Sequence, residues 1–205
     1  YRPGWDDRRL ITEVLELLQV CGAPAGGECL RYEDAFQRYA QIDAFAEADV
    51  LAACARERGL APQHVDADDA ADADFWRDLI MSLQVQPALG ADAPCAVTDF
   101  PASQAALAKL RSDDPRCAAR FEIYWQGVEL ANGFQELTDA AEQRRRFEAD
   151  RAWRAGRSMS MPPIDEAFLA ALTAGMPESA GVAMGVDRLL MLLLGESSLD
   201  AVMPF

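Results

Sequence analysis

Gly181-Val182-Ala183-Met184-Gly185-Val186-Asp187-Arg188, running on into Leu189-Leu190-Met191-Leu192-Leu193-Leu194 and Gly195, is the stretch that decides the fold of this chain. Small residues at 181, 183 and 185 alternate with apolar residues at 182, 184 and 186, which is the period of a strand. One face of that strand is almost bare of side chains, so a flat ligand could lie directly on its backbone. Asp187 reads as the N-cap of a following helix, and the apolar run 189–194 as a buried helix ended by Gly195. Arg188 then falls in the first helical turn, where a cation opposes the helix dipole and an anionic ligand would compensate it. The same pattern also fits a tight strand–helix packing corner with a surface arginine.

The rest of the composition narrows the classes of function. A chain of 205 residues, 51% hydrophobic and 26% charged, can bury a proper core as one domain, or as one domain with an insertion. No apolar run approaches the roughly 18 residues of a membrane span, and the start has no signal-peptide pattern. The five cysteines (21, 29, 54, 95 and 117) are odd in number and widely spaced, with no CxxC pair. That spacing argues for reduced, cytosolic thiols and against a disulfide framework or a structural zinc site. His64, the single histidine, sits in an acidic loop, which leaves His-based metal sites and nucleophile–His dyads poorly supported. A formal net charge of −15 disfavours nonspecific binding to nucleic acid or anionic membranes. Arg144, Arg145, Arg146, Arg151, Arg154 and Arg157 run against that trend. They are interleaved with Glu142, Glu148 and Asp150, as on a solvated helix face laced by i,i+4 pairs; a docking surface for an acidic partner is the other reading.

Working back from the closing segment, Tyr1-Arg2-Pro3-Gly4-Trp5 reads as the end of a strand already inside a fold, so the chain is expected to be the C-terminal part of something longer. Asp6 or Asp7 caps a helix with apolar positions Leu10, Ile11, Val14, Leu15, Leu17 and Leu18. From about 24 to 94 short helical patterns (33–39, 47–58 and 72–83) are joined by Gly, Pro and acidic segments, a texture expected of a helical insertion. Strands return at 96–100 and 121–130, with a hairpin turn at Gln126-Gly127. Helices at 139–154 and 165–173 precede the closing strand–helix unit. Mixed elements without regular βαβ alternation indicate an α+β fold with an antiparallel sheet.

The densest polar cluster is Glu129-Leu130-Ala131-Asn132-Gly133-Phe134-Gln135-Glu136. On an uninterrupted strand Glu129 faces away from Asn132 and Glu136. Asn132-Gly133 is a turn or bulge dipeptide, and a register break there would bring the three polar groups to one side. Two carboxylates and an amide could then hold nucleotide-bound Mg²⁺ or grip an ammonium group; an ordinary exposed hairpin is the alternative. Asp99-Phe100-Pro101-Ala102-Ser103-Gln104 reads as a strand end with Ser103 capping a short turn, which could line a pocket.

Together, DFPASQAALAKL (99–110), RFEIYWQGVELANGFQELTD (120–139) and GVAMGVDRLLMLLLG (181–195) resemble the catalytic domain of class II aminoacyl-tRNA synthetases, in its lysyl-tRNA synthetase-like branch. The segment 181–188 matches motif 3 of that class, and Glu129, Asn132 and Glu136 match the substrate and metal strand of lysyl-type enzymes. Tyr1-Arg2-Pro3 looks like the end of the motif 2 strand, so the resemblance spans the chain. It implies an α+β fold, an antiparallel sheet flanked by helices, with residues 1–205 forming part of the catalytic domain and the helical insertion at about 24–94. Lysyl-tRNA synthetases usually carry glycine at the middle small position of motif 3. Ala183 instead resembles the shortened paralogues that attach (R)-β-lysine to elongation factor P, as do 101–105 and 175–181. One methyl on the pocket floor favours a β-amino acid over α-lysine by roughly 1–3 kcal/mol.

The resemblance implies ATP-dependent activation of (R)-β-lysine, or of lysine, as an aminoacyl-adenylate, followed by transfer to a lysine of elongation factor P without tRNA. ATP and Mg²⁺ are the implied cofactors. Arg188 is the implied catalytic contact to the terminal phosphate, Gly185 lies against adenine, Glu129 holds Mg²⁺ and Leu130 lends a backbone contact to the nucleotide. Glu136 and Tyr1, assisted by Asn132, bind the substrate ammonium groups, and Ala183 shapes the pocket. Motif 1 and the motif 2 arginine would precede Tyr1. The 205 residues alone are therefore expected to be inactive, and the full-length protein to be a cytoplasmic homodimer with no membrane partner. Two other readings stand beside this one. A lysyl-tRNA synthetase fragment that charges tRNA is opposed by Ala183. A non-catalytic synthetase-like binding module is opposed by the joint presence of Glu129, Glu136 and Arg188.

Overall fold

The structure, a computed structural model, describes residues 1–203. Its strands are β1 (Arg2–Pro3), β2 (Cys29–Arg31), β3 (Cys95–Pro101), β4 (Cys117–Trp125), β5 (Val128–Gln135) and β6 (Ser179–Met184). Its helices are α1 (Asp7–Val20), α2 (Tyr32–Ala40), α3 (Ala48–Glu57), α4 (Ala67–Ala70), α5 (Ala73–Ile80), α6 (Ala140–Gly156), α7 (Glu166–Ala174) and α8 (Val186–Leu194). The strands form one sheet in the order β1-β6-β5-β4-β3-β2. Every neighbouring pair is antiparallel except the edge pair β2–β3, which is parallel. The α+β expectation holds, with this parallel edge added.

Alternation along β4 sorts the molecule into two faces. Phe121, Ile123 and Trp125 pack with Leu10, Ile11, Val14 and Leu18 of α1 and Leu189 of α8. Tyr124 faces the other way, where Tyr32, Phe36, Trp76 and Ile80 of α2 and α5 pack onto Cys95, Val97 and Phe100 of β3. Each large apolar side chain buried there contributes about 1.5–3 kcal/mol. No residue of β5 or β6 joins this second core. The helices of 32–80 therefore wall one half of the face and leave the β5–β6 half to the small residues of the closing strand.

Local chemistry explains most element boundaries. Asp6 caps α1 by accepting from the Arg9 amide at 2.8 Å. Asp139 caps α6 through the amides of Ala141 and Glu142, and Asp165 caps α7 through that of Phe168. The β4–β5 hairpin turns on Gln126 and Gly127 with φ of 51° and 74°, as a type I′ turn requires. The arginine-rich helix makes the expected i,i+4 pairs, Arg146 with Glu142 and Arg154 with Asp150. It is not a purely solvated face, however: Arg146 turns inward to the Ala106 and Ala108 carbonyls and Arg157 to Asp72.

Several expectations need correction. The segment 24–94 is not purely helical, because β2 lies within it and extends the main sheet beside β3. Asp187 is not a cap: α8 starts one residue earlier, Gly185 holds the N-cap position without a side-chain bond, and Asp187 lies in the first turn. The run 189–194 is not uniformly buried. Leu189 and Met191 are, whereas Leu190, Leu193 and Leu194 are exposed, because a helix lying on a sheet buries one stripe only. For the same reason Leu17 of α1 is exposed. Ser103 caps nothing; its hydroxyl donates to Asp74 of α5 at 2.9 Å.

One feature of the core had no signature in the sequence. Asp7 is fully buried and bonds Arg111, whose Nη1 reaches Asp7 Oδ1 at 2.9 Å and whose Nε reaches Asp99 Oδ1 at 2.6 Å. Asp99 holds φ at 59° where the β3–β4 register shifts between Thr98 and Phe100. That backbone conformation is costly outside glycine, and the two-carboxylate clamp on Arg111 stabilises it. Beyond the shift, Phe100 lands with Val97 against the α2–α5 core.

Candidate active site

The site is assembled by a register shift on β5. Ile123 pairs with Ala131 but Tyr124 pairs with Glu129, so Leu130 is the extra residue. Its side chain and that of Ala131 both enter the α1–α8 core. Glu129 is thereby turned onto the face of Tyr124, Glu122 and Asn132, the last two being direct cross-strand partners. The break expected at Asn132-Gly133 does not occur there, since both residues stay in a regular ladder with β4 and β6. The convergence of Glu129 with Asn132 and Glu136 occurs through Leu130 instead.

Along that face the groups form a connected series. Glu122 accepts from Arg120 Nη2 at 2.6 Å, from the Tyr124 hydroxyl, and from Asn132 Nδ2 at 3.1 Å. Burial pushes the Glu122 carboxyl upward; Arg120 opposes that shift, and nearby Glu129 adds to it. Arg188 Nη1 donates to the Glu129 carbonyl at 2.9 Å and lies 3.6 Å from its carboxylate. This ion pair offsets the unfavourable position of Arg188 at the start of α8. The Gly185 amide donates to the Leu130 carbonyl at 2.8 Å and joins α8 to the bulge.

At the other end of the face lie Tyr1, Glu136 and Gly181. A Cβ on Gly181 would collide with Glu136 Oε1 and stand 2.8 Å from Tyr1 Cε1, so both side chains rest on the bare backbone of β6. Glu136 is buried and unpaired among the described residues, and burial pushes its carboxyl up to about 7. Between the two ends, Asn132 is the direct partner of Ala183 on β6. Asn132 Oδ1 is buried and has no hydrogen-bond partner.

The structure thus gathers Tyr1, Glu129, Asn132, Glu136, Ala183 and Arg188 on one face, with Gly185 at its edge. The Leu130 side chain points away from it, and its carbonyl is already engaged. Sequence reasoning missed Arg120, Glu122, Tyr124 and Tyr32, which line a cavity of about 550 Å³ beside Glu129 and Phe100. A signal existed for the first three: polar groups at every second position of an otherwise apolar strand mark a face turned to something other than core. Tyr32 had none, because it reaches the cavity only through the packing of α2 on β3.

The donor set tests the expected ligands. Among the described residues no three His, Cys, Asp or Glu side chains converge as a protein cage for a metal would require. Glu122 and Glu129 line the same cavity, and two carboxylates there would suit Mg²⁺ that brings phosphate oxygens of its own. The orphaned Asn132 Oδ1 and the unpaired Glu136 are acceptors without donors, which suits an ammonium-bearing ligand.

The family described as tRNA synthetases class II (D, K and N) matches residues 8–205. The elongation factor P--(R)-beta-lysine ligase of Enterobacter sp. (strain 638) is 47% identical over 206 residues, which cover all of this chain and 62% of that protein. The ligase of the same name from Klebsiella pneumoniae subsp. pneumoniae is 46% identical over the same shares of the two chains. That of Erwinia tasmaniensis is 48% identical over 209 residues, again 62% of its length. The chain therefore spans less than two thirds of the curated relatives it matches. No helix among the described residues is long and apolar enough to cross a membrane.

Proposed function

We propose, from the premise that this chain belongs to the class II tRNA synthetase family (D, K and N), that its protein activates (R)-β-lysine with ATP and transfers it to a lysine of elongation factor P. The observation that carries the reading is the pairing of an unpaired buried carboxylate, Glu136, with the orphaned Asn132 Oδ1 beside the small-residue floor of β6. Identity near 47% to ligases of that name, along the whole chain, supports it.

In this reading the substrate carboxylate attacks the α-phosphorus of ATP, pyrophosphate leaves, and an aminoacyl-adenylate forms. The acceptor amine then forms a C–N bond to the acyl carbon while the C–O bond to the phosphate breaks. AMP departs with the electron pair, and the amine proton passes to solvent. The protein contributes position and charge rather than a nucleophile of its own. Glu136 and Tyr1 hold one ammonium of the substrate, and Asn132 orients the other. Arg188 exchanges its bond to Glu129 for the terminal phosphate, and Gly185 offers a flat backbone to adenine, with Leu130 beside it. Glu129 and Glu122 would hold Mg²⁺, which would supply charge neutralisation toward the phosphates. The Ala183 methyl, opposite Asn132, narrows the floor where a β-amino and an α-amino acid differ. Localisation in the cytoplasm, a homodimeric full-length protein and independence from tRNA belong to the same reading.

The test is amino-acid-dependent ATP–pyrophosphate exchange by the full-length protein, comparing (R)-β-lysine with α-lysine. Preference for (R)-β-lysine is expected. Preference for α-lysine would overturn the reading in favour of tRNA charging, and nucleotide binding without exchange would favour a non-catalytic module.

A further inference from the structure

A second cavity of about 710 Å³ lies between α5, the 102–107 segment and α6, and the proposed activation chemistry makes no use of it. It joins the first cavity through Asp78, Ser103, Gln104 and Ala106, which line both. One of its walls is apolar: Leu107, Leu110, Phe147 and Trp153. Most of its carboxylates already have partners: Asp74 pairs with Arg77, Glu142 with Arg146, Asp150 with Arg154 and Asp72 with Arg157. Asp78 differs. It accepts from the neutral Gln104 amide at 2.6 Å and forms no ion pair among the described residues, and it stands where the two cavities meet.

The second observation is Gln143. This residue of α6 lines the cavity, is 1% exposed, and its side-chain Oε1 has no hydrogen-bond partner. Burying an amide oxygen without a donor costs about 1–3 kcal/mol, and native folds retain few such groups. Leucine would fill the same space without that cost, so the acceptor atom calls for a donor that arrives from outside.

We propose that this second cavity receives the lysine-bearing segment of the acceptor protein. The apolar wall takes the aliphatic stem, Gln143 Oε1 accepts an N–H of the segment, and Asp78 draws the ammonium end toward the adenylate. The inference rests on the function proposed above and deepens it by naming where the acceptor enters. An alkyl chain ending in a cation fits a groove that is apolar along its length and anionic at its inner mouth. A phosphate-bearing acceptor finds no such match, because Arg146 is already bonded to the Ala106 and Ala108 carbonyls and to Glu142.

The experiment uses the full-length protein and its Gln143→Leu and Trp153→Ala variants. It measures pyrophosphate exchange, the KM for elongation factor P in transfer of labelled (R)-β-lysine, and the melting temperature. The expected result is exchange within about twofold of the parent and a KM for the acceptor raised about fivefold or more, the equivalent of one lost hydrogen bond. Gln143→Leu should also melt no lower than the parent. An unchanged KM in both variants overturns the proposal, as does a parallel loss of exchange. If the parent itself shows no exchange with (R)-β-lysine, the functional reading fails on its own. Calorimetric binding of elongation factor P then decides the cavity: weaker binding to Gln143→Leu supports it, and equal binding overturns it.

Discussion

The carboxylate of Glu136 rests directly on Gly181, across the β5–β6 boundary, with no room between them for a methyl group. Gly181→Ala is therefore expected to push Glu136 off its place and to disturb Tyr1, while β6 still pairs normally. Amino-acid-dependent exchange should fall about tenfold or more, mostly through a raised KM for the amino acid. Steady-state kinetics with the KM for ATP measured in parallel check this, and equal losses in both constants would count against it.

Glu136 also sets a pH dependence. Its folded-state carboxyl is raised by burial from an ordinary 4.5 to about 7. The folded protein thus holds this proton longer than the unfolded chain does, and the associated stability is full below about pH 4.5 and declines as pH rises to about 7. Cation binding needs the ionised form, so affinity for the dicationic substrate should rise over the same window, with proton release on binding. Titration calorimetry in buffers of different ionisation enthalpy reads that release directly. Glu136→Gln should abolish both the release and the slope.

Asp7 and Arg111 form the most buried ion pair among the described residues, tied on to Asp99. Asp7→Asn leaves the Arg111 guanidinium with a single carboxylate in a site that is 15% exposed. A loss of about 3 kcal/mol is expected, since breaking one partner of a buried pair strands the other charge. Urea denaturation should show a lower midpoint at unchanged slope, and a midpoint shift near zero would mean that Asp99 alone suffices.

Ala183→Gly removes the one methyl that faces Asn132 from β6. Discrimination between (R)-β-lysine and α-lysine, measured as the ratio of kcat/KM values in exchange, should relax by about tenfold toward α-lysine. An unchanged ratio would place the specificity elsewhere on the pocket wall.

Much of this protein was legible in the sequence because its signals are local. The alternation at 181–186, the cap of α1 at Asp6 or Asp7, the helices opening near Asp139 and Asp165, and the Gln126-Gly127 hairpin each depend on residues a few positions apart. The family of the chain followed from the same segments. What remained hidden depends on groups far apart in the chain. Asp7 and Arg111 are 104 residues apart, and nothing near either announces the other. Asn132-Gly133 carries the composition of a bulge, yet the extra residue is Leu130. Cross-strand pairing on both sides of β5 holds Asn132 and Gly133 in register, and the core has room for Leu130 and Ala131 together. The sequence by itself therefore determined the family, most of the elements though not β2, and part of the residue set of the site. Only the tertiary structure decided that Glu129 shares a face with Asn132 and Glu136, that Tyr32 reaches the cavity, and that Gln143 is left without a donor. Side-chain direction on a strand is set by pairing and packing across the sheet, which no local window contains.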